Sequence, residues 1–332
     1  MKKLVTGATG FIGSSIVREL LKDGVEVKVL VRKESNTKNI DGLYIEKVYG
    51  DIRDKESIKA ALKGCDTFYQ TAALFVSWAP DKKIFYDINV EGTKTALSAA
   101  LEQGVQKVVY TSSIAAVGYE EGNKLANEET KFNMYKGSPY NMTKYLGELE
   151  AKKFCEKGLP LVIVNPAGVI GVRDIKPTPT GDYIVKVLNK KMPGWVDTGM
   201  NFVDVEDVAR GHILAAQKGR VGERYILGNT NITLKDMFDL VGKVGGVEAP
   251  KRKISYPMAI TLAYFSELVS RINGKPPALS MNVAKAIGNY LFYDCSKAVK
   301  ELGMPQTPLR TTVEKAVNWF RENGYIKVDA KM

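Results

Sequence analysis

One histidine and three cysteines in 332 residues leave little material for metal or histidine-based chemistry. Cys65, Cys155 and Cys295 are widely spaced, odd in number and form no CxxC, so neither a disulfide framework nor a zinc site is indicated, and they read as buried thiols. Any Ser-His-Asp triad would have to run through His212, which lies midway along the helical pattern VEDVARGHILAAQ and reads as a helix-face residue. No metal site is expected. Long apolar runs are missing too: no stretch reaches the roughly 18 residues of a membrane span. The N-terminus turns to glycine too soon for the apolar core of a signal peptide, so the chain reads as cytoplasmic. Internal repeats are absent, which excludes a solenoid. Acid is in deficit, with 48 Lys and Arg against 37 Asp and Glu and a net charge of +11. That excess suggests anionic company. The basic residues are dispersed and no nucleic-acid module appears, so no nucleic-acid partner is expected. Phosphorylated small molecules and an anionic membrane surface stay open.

What is present is a rhythm. Residues 4–6, 25–31, 45–50, 65–73, 106–113 and 159–168 read as strands, several of them continuously apolar, as in a sheet buried on both faces. Helical patterns alternate with them, which predicts an α/β protein with a doubly wound parallel sheet. After about residue 168 prolines and glycines cluster and the alternation ends. We therefore expect a dinucleotide-binding Rossmann domain over 1–168. A smaller mixed region over 169–332 should be mainly substrate-binding, with some chain returning to the first domain.

LVTGATGFIG, residues 4–13, places Gly7, Gly10 and Gly13 where a strand hands over to a helix. Gly7 permits the tight turn, Gly10 a close approach by a pyrophosphate, and Gly13 close helix-to-strand packing. Thr9, Phe11 and Ile12 join them as cofactor-binding candidates. An acid at the end of the second strand would accept the ribose 2′-hydroxyl of NAD, but VLVRKES carries Arg32 and Lys33 there. Two cations suit a 2′-phosphate, so NADP is expected, with NAD possible. Asp51 and Ile52 would border the adenine.

Tyr140 and Lys144, in PYNMTK, share one helix face at i and i+4. A neighbouring ammonium should lower the phenol toward a usable general acid or base. Tyr293 and Lys297 repeat the spacing but should lie far from any sheet edge. Thr111, Ser112 and Ser113 end the fifth strand, and Ser113, with Ser112 as fallback, could hold a substrate oxygen beside the tyrosine.

TGATGFIG, GDIRD, QTAA, NVEGT, TSS, YxxxK and NPAGVIG, in this order and over essentially the whole chain, resemble the extended short-chain dehydrogenase/reductases. GVRDIKPTPTG, MPGWVDTG, FVDVEDVARGH and GERYILGN are similar to its dihydroflavonol-reductase-like branch, in particular to hopanoid-associated sugar epimerases. The resemblance implies Tyr140 as acid/base, Lys144 on the nicotinamide ribose, Ser113 orienting the reacting oxygen and Asn89 organising the site. It further implies Ala72, Ala73, Thr111 and Pro166 against the cofactor, and a homodimer. Two reactions follow: NADP-dependent carbonyl reduction (or alcohol oxidation) on a small or hydrophobic substrate, and NAD(P)-dependent nucleotide-sugar epimerisation. A sensor that binds NADP without turnover is the reading from another class. Phe75, Trp78, Tyr119, Met192 and Trp195 are candidate pocket walls. The apolar segment 256–272 reads as a buried helix, with a lipid-facing helix as the alternative.

Overall fold

The computed structural model describes residues 1–326 apart from 77–78, 123, 136–137, 274–278, 280 and 286. In chain order it runs β1 (Lys2–Thr6), α1 (Phe11–Lys22), β2 (Val27–Val31), β3 (Glu46–Tyr49), α2 (Lys55–Leu62), β4 (Cys65–Gln70), α3 (Lys83–Tyr86) and α4 (Thr93–Glu102). Next come β5 (Lys107–Thr111), α5 (Pro139–Glu156), β6 (Leu161–Pro166), β7 (Gly168–Ile170), α6 (Pro179–Leu188), β8 (Gly199–Asp204) and α7 (Val205–Lys218). The chain continues with β9 (Arg224–Leu227), β10 (Thr230–Thr233), α8 (Leu234–Gly245), α9 (Tyr256–Asn273), α10 (Met281–Lys285), β11 (Tyr290–Leu291) and α11 (Leu309–Glu322).

Seven parallel strands form the main sheet in the order β3-β2-β1-β4-β5-β6-β9. The order reverses between β1 and β4, and ligands of open α/β sheets bind outside the carboxyl ends of the strands at such a point. Burial explains the apolar strands. On one face Ile16, Val17 and Leu20 of α1 and Val205, Val208 and Ile213 of α7 pack against Val5, Val29 and Val164. On the other, Ile58 of α2, Leu97 of α4 and Phe154 of α5 pack against Leu4, Phe68 and Val108. The later chain thus returns to this sheet, with α7 packing against α1, β9 forming the sheet's edge, and Ala298, Leu302 and Met304 joining the same core.

A smaller mixed sheet is centred on β8, with β10 antiparallel on one side and β7 and β11 parallel on the other. Its core joins Phe202 to Ile184, Phe238, Val317 and Phe320 of the surrounding helices. Among the described residues no helix is long and apolar enough to cross a membrane. The cysteines are free; Cys295 is buried, while Cys65 and Cys155 are only half-buried, contrary to the expectation for all three. The reading of 256–272 as a buried helix is corrected. Ala259 and Ala263 of α9 are fully buried, but Leu262, Phe265, Val269 and Ile272 face outward.

Candidate active site

The carboxyl ends of the parallel strands carry most of the residues singled out from the sequence. After β1 the chain turns at Gly7, whose φ of +67° lies in the left-handed region and where a Cβ would come within 2.8 Å of the Ala72 nitrogen. A Cβ at Gly13 would collide with the Gly7 carbonyl. The Gly10 N–H donates to Gly7 O at 2.9 Å, and Gly10 caps α1 in extended geometry. No side chain caps this helix and its first turn holds no acid, so its first N–H groups are not claimed by a capping side chain. These residues fit a dinucleotide pyrophosphate.

Arg32 and Lys33 follow β2 directly and are exposed. Asp51 is already engaged: Arg53 donates from Nε at 2.9 Å and from its terminal nitrogen at 2.8 Å, holding the carboxyl below its usual range despite partial burial. Ile52 is buried under Gly92, where a Cβ would lie 2.8 Å from its Cδ1. Ala72 adjoins Gly7, Ala73 is exposed, and Pro166 closes β6 opposite Leu227.

Ser138 caps α5, accepting from the Asn141 N–H at 3.3 Å, and Pro139 takes the first helical position, so Tyr140 stands in the opening turn. Ser113 sits at the end of β5, where its hydroxyl accepts from the Ala115 N–H at 3.2 Å. The same hydroxyl acts on the Tyr140 phenol, favouring its ionised form. Burial pushes the phenol up to about 12, and only Ser113 pulls the other way. The expected lowering by Lys144 is therefore corrected. The ammonium donates instead to the Thr111 carbonyl at 2.7 Å and lies 5.2 Å from the Tyr110 ring centroid. Burial lowers it to about 8, against the opposing pull of Glu148. The Phe75 ring lies 4.8 Å from that of Tyr140. Trp78 lies outside the described residues. Tyr119 is part-exposed, while Met192 and Trp195 pack on the core of the smaller sheet.

Asn89 belongs to a π-type turn, Asp87–Gly92, that interrupts the helix between α3 and α4. It is buried and fully used, accepting from Leu74 N at 2.7 Å and donating to Leu74 O and Thr143 Oγ1, each at 3.2 Å. It ties the segment after β4 to the helix of Tyr140. Thr111 shares its hydroxyl with His212 Nε2 at 2.9 Å, and Nδ1 of that ring meets Val208 O at 2.7 Å. His212 is thus a buried brace on α7.

Ser112, the fallback for Ser113, is committed elsewhere, donating to Glu148 Oε2 at 2.6 Å. Glu148 itself escaped the sequence reading. It is buried, takes Asn165 Nδ2 at 2.8 Å and Arg224 at 3.2 Å, and stands one i+4 step beyond Lys144. An acid continuing the Tyr-Lys spacing was the signal. Asn39 was missed as well: its amide donates to the carbonyls of Thr9 at 3.3 Å and Arg173 at 3.2 Å, while Arg18 donates to its own carbonyl at 3.0 Å. It bolts the loop after β2 to the glycine turn.

The second Tyr-Lys pair is structural, though not by remoteness from a sheet edge. Lys297 lies 4.9 Å from the ring centroid of Tyr225 on edge strand β9 and pairs with Glu223 at 2.6 Å. Tyr293 is buried and donates to Gly118 O at 2.6 Å.

A glycine turn at the switch point of a parallel sheet, facing a serine, tyrosine and lysine, has the architecture of the short-chain dehydrogenase/reductases. The chain belongs to the NAD dependent epimerase/dehydratase family, whose model matches residues 3–228. It is 39% identical to a dihydroflavonol 4-reductase-like protein of Synechocystis sp., covering 97% of this chain and 95% of that one. It is 32% identical to sterol demethylase protein B of Methylococcus capsulatus, covering 98% and 100%. The crystal structure of PA4631, a nucleoside-diphosphate-sugar epimerase from Pseudomonas aeruginosa, is similar with a TM-score of 0.82 and 27% identity, covering 98% of this chain and 99% of that one. The protein is an NAD(P)-dependent enzyme.

Proposed function

We propose that the enzyme is an NADP-dependent reductase of a carbonyl on a hydrophobic small molecule, with Tyr140 as the proton donor. The observation that carries this reading is the grouping of Ser113, Tyr140 and a buried Lys144 at the carboxyl end of β5, with a phenol that stays protonated until about pH 12. Such a phenol is an acid in waiting. An alkoxide forming on the substrate is a stronger base than a tyrosinate, so the proton moves downhill in the reductive direction. Oxidation would need the phenolate, which burial disfavours.

Gly7, Gly10 and the N-terminus of α1 would hold the pyrophosphate, Arg32 and Lys33 a 2′-phosphate, and Lys144 the ribose next to the nicotinamide. When bound, NADPH supplies the hydride. Ser113 donates a hydrogen bond to the substrate oxygen and Tyr140 delivers the proton to that same atom. Phe75, 46% exposed beside the Tyr140 ring, offers an apolar wall and shields the phenol from water. The resemblance to a protein named for sterol demethylation supports an apolar substrate.

Epimerisation is the second reading, supported by the likeness to PA4631. One experiment separates the two: identify the nucleotide that co-purifies, then follow NADPH and NADH consumption over a panel of apolar ketones and aldehydes. We expect NADPH-dependent formation of alcohol, and a preference that moves toward NADH in Arg32→Asp. NAD held without exchange, with no net consumption on any carbonyl, would overturn the reductase in favour of the epimerase.

A further inference from the structure

Among the described residues, helix α9 has one face with no partner. Leu262, Phe265, Val269 and Ile272 follow one another at steps of three, four and three, with Tyr264 and Leu268 beside them, and all six are exposed, up to 81% at Ile272. At 100° per residue they cover an arc of about 160°, and that arc contains no ionisable carboxylate or ammonium. The opposite face is settled: Ala259 and Ala263 pack against Ile254 and Ala284. The exposed side is therefore not needed to seat the helix. A continuous apolar face of this breadth marks a contact with something outside the chain.

Charge indicates which. Lys251, Arg252 and Lys253 precede the helix and are exposed, and Lys285 is exposed on α10 packed beside it. Glu248 pairs with Lys251 and Asp197 with Lys253, leaving Arg252 and Lys285 uncompensated among the described residues. The whole molecule carries +11. Aromatic and aliphatic side chains on one face, cations at the flank and an uncharged apolar arc are what an interfacial helix presents to anionic headgroups and the acyl boundary beneath them. We infer that α9 docks the enzyme on the surface of an anionic lipid bilayer, lying in the interface without crossing it. The inference rests on this helix and the cations that flank it, and is independent of the reaction proposed above. A membrane-resident substrate would give the docking a use.

Flotation of the full chain with phosphatidylcholine vesicles, with and without phosphatidylglycerol, tests it. The protein should float with the anionic vesicles and far less with the neutral ones, and should be released as salt rises. Replacing Phe265, Val269 and Ile272 together by Ser should reduce the floated fraction at least about tenfold without lowering turnover of a soluble carbonyl. A second readout does not depend on that variant folding: Phe265→Trp should show a blue-shifted emission with anionic vesicles, relative to the wild type. No flotation of the wild type, flotation undiminished in the triple variant, or an emission that vesicles leave unchanged in the Phe265→Trp variant overturns the inference. So does a dimer in sedimentation velocity that the triple variant dissolves while vesicles bind neither protein, since the face would then belong to a second copy.

Discussion

Lys144 is buried against the Thr111 carbonyl and holds its proton only up to about pH 8. Tyr140 keeps its own to about 12, so the alkaline limb of the rate profile belongs to the lysine. Reductive kcat/KM should be flat at neutral pH and fall as pH rises through about 8, because the ammonium that would hold the ribose is lost. Lys144→Arg, which does not titrate in this range, should remove that limb even if the rate is lower throughout. A limb that stays near 8 in Lys144→Arg would assign it to another group. Tyr140, Lys144 and the three glycines were legible in the sequence because each depends on local spacing: one helix turn, one strand-to-helix turn. Asn39 was not legible, and Glu148 showed only as an acid continuing the Tyr-Lys spacing, without its role. Their partners lie 30 and 134 residues away for Asn39 and 36 and 76 for Glu148, and only the order of strands brings them together.

Elements matter here through how closely they approach. Helix α5 meets the π-type turn at Gly147, where a Cβ would come within 2.6 Å of both the Asn89 carbonyl and the Tyr110 hydroxyl. Gly147→Ala should therefore push α5 away from Asn89 and cost about 1–3 kcal/mol, measured by urea denaturation. Because Tyr140 and Lys144 ride on the same helix, kcat should fall too. Unchanged stability would mean that the contact yields at no cost. β8, β10 and β11 were not singled out, while the six strands of the first half were read correctly, several of them from continuous apolar runs. The face of α9 was not, since an apolar pattern says that a surface avoids water and not whether its cover lies within the chain. Among the described residues, α9 is covered on the face of Ala259 and Ala263, by Ile254 and Ala284.

At the scale of the whole molecule, the returning segment α7 locks the two halves together through His212. Burial lowers this imidazole to about 4, so between roughly pH 6.5 and 4 the unfolded chain takes up the proton that the folded one refuses. Stability should fall with pH across that window, by up to about 3 kcal/mol from this group. Asp174 acts in the opposite sense: burial raises it to about 6, so its folded form gains protons first and stability rises as pH falls toward 3.8. Only a paired comparison isolates the histidine. His212→Gln should lose about 2 kcal/mol less than the wild type between roughly pH 6.5 and 4.5 in denaturant titrations, and equal losses would contradict the assignment. The sequence did not reveal that the single histidine would brace the strand whose carbonyl holds Lys144.

Replacing Tyr140 by Phe removes one oxygen and leaves the ring, the helix cap and the glycine cradle in place. NADPH affinity, measured by fluorescence titration, should stay within about threefold, while carbonyl turnover falls by about 10²–10⁴. Turnover close to that of the wild type in this variant, with nucleotide still bound, would contradict the account, because the proton would then come from another group.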